Sequence, residues 1–167
     1  MADYNVTANG TRDFQLLEDG KLLGALHYTE WFSFEAEVTL ADNSSFQIKP
    51  KGVWGTTIEF KDQQKVLLDF KMHWNGTIVI KSKFNGKAFL FKQKSMLKNT
   101  FVLIDKNEQE LLAVQPAFKW SSFNYDYTLS ATEEFEALEM KAFLLLTTVH
   151  CANYYMTMVA ASAVIAT

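Results

Sequence analysis

The sequence predicts a mainly β protein with one long C-terminal helix: a closed antiparallel barrel of about twelve strands with an apolar helix through its centre. Three observations predict it. From Phe14 to about Ser130 apolar and polar residues alternate, the pattern of strands that bury one face. Turn residues punctuate that stretch roughly every ten positions, the spacing of an antiparallel meander. From Ala131 onward there is neither Gly nor Pro, and residues 131–141 are rich in Ala, Glu, Leu and Met, which favour helix.

At 167 residues, with 49% hydrophobic and 21% charged, the chain is long enough for a sizeable core and too apolar for disorder. It reads as a single domain over 1–167, with strands over about 4–130 and the helix over about 131–167. The expected strands are 4–8, 14–18, 22–28, 31–40, 46–49, 53–60, 66–72, 77–83, 88–92, 101–105, 111–118 and 123–129. In 31–40, Phe32, Phe34, Ala36, Val38 and Leu40 share one face, opposite Ser33, Glu35, Glu37 and Thr39. In 123–129, Phe123, Tyr125, Tyr127 and Leu129 alternate with Asn124, Asp126 and Thr128. In 66–72 the alternation holds except at Leu67. Asp19-Gly20, Asp42-Asn43, Asp62-Gln63, Asn75-Gly76, Asn85-Gly86 and Lys106-Asn107 separate successive runs, and Asn-Gly and Asp-Gly supply the positive φ that short hairpin loops need. So many strands with two Pro call for closure, which removes exposed sheet edges.

For the helix, Ser130 and Glu133 form a candidate capping box, and Glu133, Glu134 and Glu136 suit the positive end of its dipole. Residues 142–167, 26 in all, contain no Asp, Glu, Lys or Arg, which exceeds the roughly 20 needed to span a bilayer. Against a tail anchor stand the acidic flank at 133–141 and the polar His150, Asn153, Thr147, Thr148, Thr157 and Ser162. Inside a barrel those groups can meet tyrosines, backbone and water, so the enclosed helix is the favoured reading and the anchor the alternative.

Twelve strands followed by an apolar helix resemble the tubby C-terminal-like fold of tubby domains, phospholipid scramblases and LURP-one-related proteins. Residues 14–28, FQLLEDGKLLGALHY, and 100–114, TFVLIDKNEQELLAV, look like the two strand-turn-strand units of the LURP-one-like branch, although Asn107-Glu108 stands where a Gly turn is usual. The resemblance implies a barrel threaded by its last helix. It does not imply one function, since relatives range from phosphoinositide binding to undefined roles.

Little points to catalysis. One Cys, Cys151, excludes an intrachain disulfide and paired-cysteine zinc motifs and suits a reducing compartment. His27, His73 and His150 show no ligand spacing, and His150 beside Cys151 on a helix is poorly placed for a nucleophilic pair; a partnered core histidine is expected instead. No phosphate-binding glycine loop occurs. Acid pairs such as Glu35 and Glu37 read as solvated charge. No catalytic residue, metal or cofactor is therefore expected. The N-terminus lacks the basic start and apolar stretch of a signal peptide, which makes the sequons at Asn5, Asn9, Asn43 and Asn75 plain turn and strand-edge residues.

Charge is uneven. Residues 81–98 carry six Lys and no acid, +6 against −9 for the rest of the chain, for a net charge of −3. With Asn85-Gly86 as a hairpin turn, Lys81, Lys83, Lys87, Lys92 and Lys94 form a basic ribbon interleaved with Phe84, Phe89 and Phe91. In tubby-like relatives basic strand positions can hold phosphoinositide headgroups, so these five lysines are the candidate anion-binding residues. A solvated face that discourages edge pairing is the competing explanation; Arg12 is the single Arg, so bidentate phosphate recognition is not available here. The expected function is a non-catalytic, cytoplasmic binding or scaffold module. The alternative is a membrane-associated protein that binds anionic phospholipid through the ribbon or is held by its tail; a hydrolase is third. A protein partner fits the first reading, and nucleic acid fits none. A lipocalin-like ligand cavity is disfavoured because the helix fills it.

Overall fold

The structure, a computed structural model, describes residues 1–30, 33–52, 57–73, 75–95, 97–139 and 141–165, the last segment with side chains to 158. Twelve strands follow one another: β1 (Ala2–Asn9), β2 (Asp13–Glu18), β3 (Lys21–Glu30), β4 (Glu35–Leu40), β5 (Ser45–Lys51), β6 (Thr57–Asp62), β7 (Lys65–Met72), β8 (Ile78–Ser82), β9 (Ala88–Ser95), β10 (Thr100–Asp105), β11 (Glu110–Lys119) and β12 (Asn124–Ala131). Each pairs antiparallel with the next, and β1 pairs with β12 to close the barrel. Closure leaves no free edge. Two helices follow, α1 (Glu133–Glu136) and α2 (Lys141–Ile165).

The turns are made as their residues demand. Asp19 and Gly20 both take positive φ, 50° and 78°, the primed turn that matches strand twist. In the β10–β11 turn Glu108 occupies the left-handed position, at φ 63°. Leu67 breaks the alternation of β7 because it is a bulge: Phe60 pairs with Leu68 and Lys61 with Val66, so Leu67 is the extra residue.

Three expectations need correction. The strand expected at 31–40 begins at Glu35, since Phe34 has φ 58°; Phe34, Ala36 and Val38 are buried, while Trp31 and Phe32 lie outside the described residues. Of the strand expected at 53–60, β6 shows the part from Thr57, and residues 53–56 lie outside the described residues. Phe123 does not face the core: it sits in the β11–β12 turn at φ 49° and is 74% exposed. Finally, the C-terminal helix is interrupted. Thr132, not Ser130, is the N-cap of α1, accepting from the Phe135 N–H, and Ser130 remains in β12 with its hydroxyl donating to Asp3. Pairing with Leu112 holds Ala131 in the sheet, which overrides the helical preference of its sequence.

A clamp fixes the break between the helices. Tyr4 donates to Glu136 at 2.5 Å, and Lys141 donates to Glu136 at 2.7 Å and to the Tyr4 hydroxyl at 3.0 Å. Beyond it, residues 143–153 of α2 are all buried. A helix buried on every side must be surrounded, and its contacts say by what. Phe143 packs on Phe46 and Phe60 with ring centroids 4.4 and 4.3 Å apart. His150 packs on Tyr28 and Phe70, Asn153 bonds to Tyr28 and Tyr127, and Tyr155 packs on Phe101. These partners belong to β3, β5, β6, β7, β10 and β12. Gly24 in β3 allows the closest approach: a Cβ there would stand 3.0 Å from Leu146 Cδ1 and 3.0 Å from the Thr39 carbonyl oxygen.

Because every connection is antiparallel, turns alternate between two mouths. Helix α2 begins at the mouth with the β2–β3, β4–β5, β6–β7, β8–β9 and β10–β11 turns, beside α1. It leaves through the other, where Tyr155 lies 3.3 Å from the Cβ position of Gly76 and Met156 Sδ accepts from Asn99. Among the described residues no helix is long and apolar enough to cross a membrane.

Candidate anion-binding face

Strands β8 and β9 present the expected lysines, joined by residues 83–87 with Gly86 at φ 68°. The Asn85 side chain accepts from the Lys87 N–H, an Asx turn that shapes the loop. Lys81 pairs in register with Ala88 and points to solvent, as do Lys87 and Lys92. The five do not converge. Lys83 is turned toward β7, its backbone N–H donating to Leu67 and its ammonium held 2.7 Å from Asp69, which raises its pKa. Lys94 is the extra residue of a bulge against β10 and grips Glu110 at 2.6 and 2.8 Å. Lys92 lies four residues along β9 from Ala88, about 14 Å at strand rise. Lys81, Lys87 and Lys92 therefore remain as cations without an ion pair among the described residues, spread along a face rather than gathered at a point.

Lys87 also borders a groove of about 390 Å³ at the α1 mouth. Its floor is Phe89, Leu111 and Leu138, and its rim sets Lys87 and Lys106 against Asp105 and Glu134. Hydrogen bonds from its own backbone N–H, Thr132 and Gln109 hold the Glu134 carboxyl below its usual range. Mixed charge of this kind gives no single-sign field for an anion.

The polar side chains of α2 find partners in strand tyrosines and in the helix's own carbonyls. Tyr127 donates to Asn153 Oδ1 at 2.6 Å, and Asn153 Nδ2 donates to the Tyr28 oxygen at 3.1 Å. The Tyr28 hydroxyl proton is then left for His150 Nδ1, 2.9 Å away, which puts the imidazole proton on Nε2. That atom is buried without a hydrogen-bond partner among the described residues. Burial pushes the His150 pKa down to about 3 and the Cys151 thiol well up, so at neutral pH the imidazole is uncharged and the sulfur is a thiol rather than a nucleophile. Thr147 and Thr148 donate to the carbonyls of Phe143 and Leu144. Elsewhere, His27 bonds to Asp13 at 2.6 Å on the surface. Among the described residues no group of His, Cys, Asp and Glu is disposed to hold a metal ion.

No family model, curated protein or solved structure matches the chain. Sequence reasoning found the lysines and the partnered histidine but not the groove, which forms where two turns and the α1–α2 connection meet. It also missed the aromatic cluster of Phe118, Trp120, Phe123 and Tyr125 at the far mouth. The signal was available: Trp120 and Phe123 flank Ser121-Ser122, a turn-like pair, but period-two alternation drew Phe123 into the following strand.

Proposed function

We propose that this chain is a non-catalytic binding module of the tubby C-terminal-like type, which meets its ligands on the outside of a barrel occupied by its own helix. The observation that carries this reading is the unbroken burial of residues 143–153: helix side chains fill the space that a lipocalin-like barrel gives to a ligand. The candidate nucleophile and base on that helix are buried and neutral, which supports a role outside catalysis.

A second reading adds an anionic ligand such as a phospholipid headgroup. Favouring it are Lys81, Lys87 and Lys92, exposed without carboxylate partners among the described residues. A soluble inositol phosphate titrated into the full chain tests it. Binding should weaken as salt rises, and Lys81→Gln with Lys87→Gln and Lys92→Gln should abolish it without shifting the melting temperature. Absence of binding at low salt removes the headgroup reading. Turnover of any substrate by the purified chain removes the non-catalytic one.

A further inference from the structure

The two mouths of the barrel differ in chemistry, and the difference has one direction. At the mouth where α2 emerges, Leu97, Trp120 and Phe123 are 101%, 77% and 74% exposed, with Phe118 and Met158 at 43% each. Leu97 lies in the β9–β10 turn and Trp120 and Phe123 in the β11–β12 turn, which are neighbours on the closed rim. Phe118, Trp120 and Phe123 form a chain of edge-to-face contacts, at 4.9 and 6.5 Å. The α2 backbone continues ten residues past Tyr155, about 15 Å at helical rise, through a segment with no charged residue.

Charge follows the same axis. Arg12, Lys51 and Lys98 are exposed in or beside the turns of this mouth, alongside one exposed acid, Glu30 at the end of β3; Asp13 there is taken by His27. The opposite mouth carries the acids of α1, Glu133, Glu134 and Glu136, and its turns hold polar pairs such as Asp19-Gly20 and Lys106-Asn107, with the lysines Lys83 and Lys87 and the smaller apolar exposures of Leu22 and Phe84, at 45% and 40%. Trp and other amphipathic aromatics concentrate where hydrocarbon meets headgroups, and basic residues favour an anionic bilayer over the acidic mouth.

We infer that the rim carrying Leu97, Trp120 and Phe123, with the protruding end of α2, is a surface that docks on a lipid bilayer containing anionic headgroups. The occupant is the interfacial region of the bilayer, which Trp and Phe enter from the rim while Arg12, Lys51 and Lys98 meet the headgroups and the α1 mouth faces away. The protein lies on the membrane by one end of the barrel. This builds on the reading of the chain as a binding module and names its partner, by a surface separate from the β8–β9 lysines.

The test uses the full chain with vesicles of phosphatidylcholine alone and of phosphatidylcholine mixed with phosphatidylserine. Wild type should sediment with the mixed vesicles more strongly than with the neutral ones, and brominated lipid should quench its Trp emission. Leu97→Ser with Trp120→Ser and Phe123→Ser should weaken partitioning by roughly tenfold or more, because large apolar contacts are lost, at an unchanged melting temperature. Lys21→Gln with Lys65→Gln, exposed at the opposite mouth, should bind vesicles as wild type does. Wild type that ignores both vesicle types overturns the inference, as does a rim variant that binds undiminished. So does a wild-type oligomer that ignores vesicles and that the rim substitutions dissociate, since the rim then covers another copy of the chain. None of these failures touches the binding-module reading, which the soluble inositol phosphate and turnover assays address without a bilayer.

Discussion

Replacing His150 by Leu isolates the consequence of enclosing a titratable group in the barrel. An unfolded His titrates near pH 6.5, whereas burial holds folded His150 down to about 3. Above pH 6.5 the imidazole is neutral in both states and its contribution to stability is complete. As pH falls below 6.5 the unfolded chain takes up a proton that the native state refuses, so stability is lost progressively down to about pH 3. The slope for one proton is about 1.4 kcal/mol per pH unit, which amounts to about 2 to 3 kcal/mol between pH 7 and pH 4.5. At pH 7 the Leu variant forfeits the 2.9 Å bond to Tyr28, worth about 1 kcal/mol. Removal of the unpartnered buried Nε2 offsets part of that, so the two proteins should be within about 1 kcal/mol of each other. At pH 4.5 the variant should have gained about 2 to 3 kcal/mol relative to wild type. Urea denaturation of both proteins at the two pH values measures this, and carboxylates, His27 and His73, common to both, cancel in the difference. Wild type and variant that lose stability in parallel would refute the buried neutral imidazole.

Other perturbations test the packing directly. Gly24→Ala places a methyl 3.0 Å from Leu146 Cδ1 and from the Thr39 carbonyl and should cost about 1 to 3 kcal/mol; Leu146→Ala alone should cost about 2 to 5 kcal/mol, and the double variant should be more stable than the sum of the two costs, as thermal melts of the four proteins would reveal. Removal of residues 143–167 takes the filling out of the barrel and should yield insoluble protein, so a soluble truncated chain with a cooperative melt would disprove the enclosed helix. Glu108→Gly relieves a left-handed side-chain position, φ 63°, and should raise stability by about 1 kcal/mol; an unchanged or lowered melting temperature counts against that conformation.

Much of the barrel was legible because strand faces are a local code. Tyr4, Val6 and Ala8, or Ile58 and Phe60, are buried at alternate positions, and inward side chains need only the period of two to declare themselves. Leu67 and Lys94 escaped that code because a bulge inserts one residue and changes the phase, which depends on pairing with another strand. Of the candidate site, the run of lysines was legible and its dispersal was not. That Lys83 meets Asp69 and Lys94 meets Glu110 depends on which strands lie side by side.

By itself the sequence determined the number and order of the strands, the composition of their turns, and an apolar helix whose His150 and Asn153 required partners. These follow from near-neighbour chemistry: alternation, turn residues and helix formers act within a few positions. Tertiary structure alone decided that Ala131 belongs to β12 and not to a helix, that Thr132 caps α1, and that Tyr28 and Tyr127, on strands β3 and β12, supply the partners of His150 Nδ1 and Asn153. It also decided that turns distant in sequence share one rim. Closing an antiparallel meander sends alternate turns to opposite ends, so Leu97 of one turn and Trp120 and Phe123 of another come to share a rim, opposite the one that carries the acids of α1.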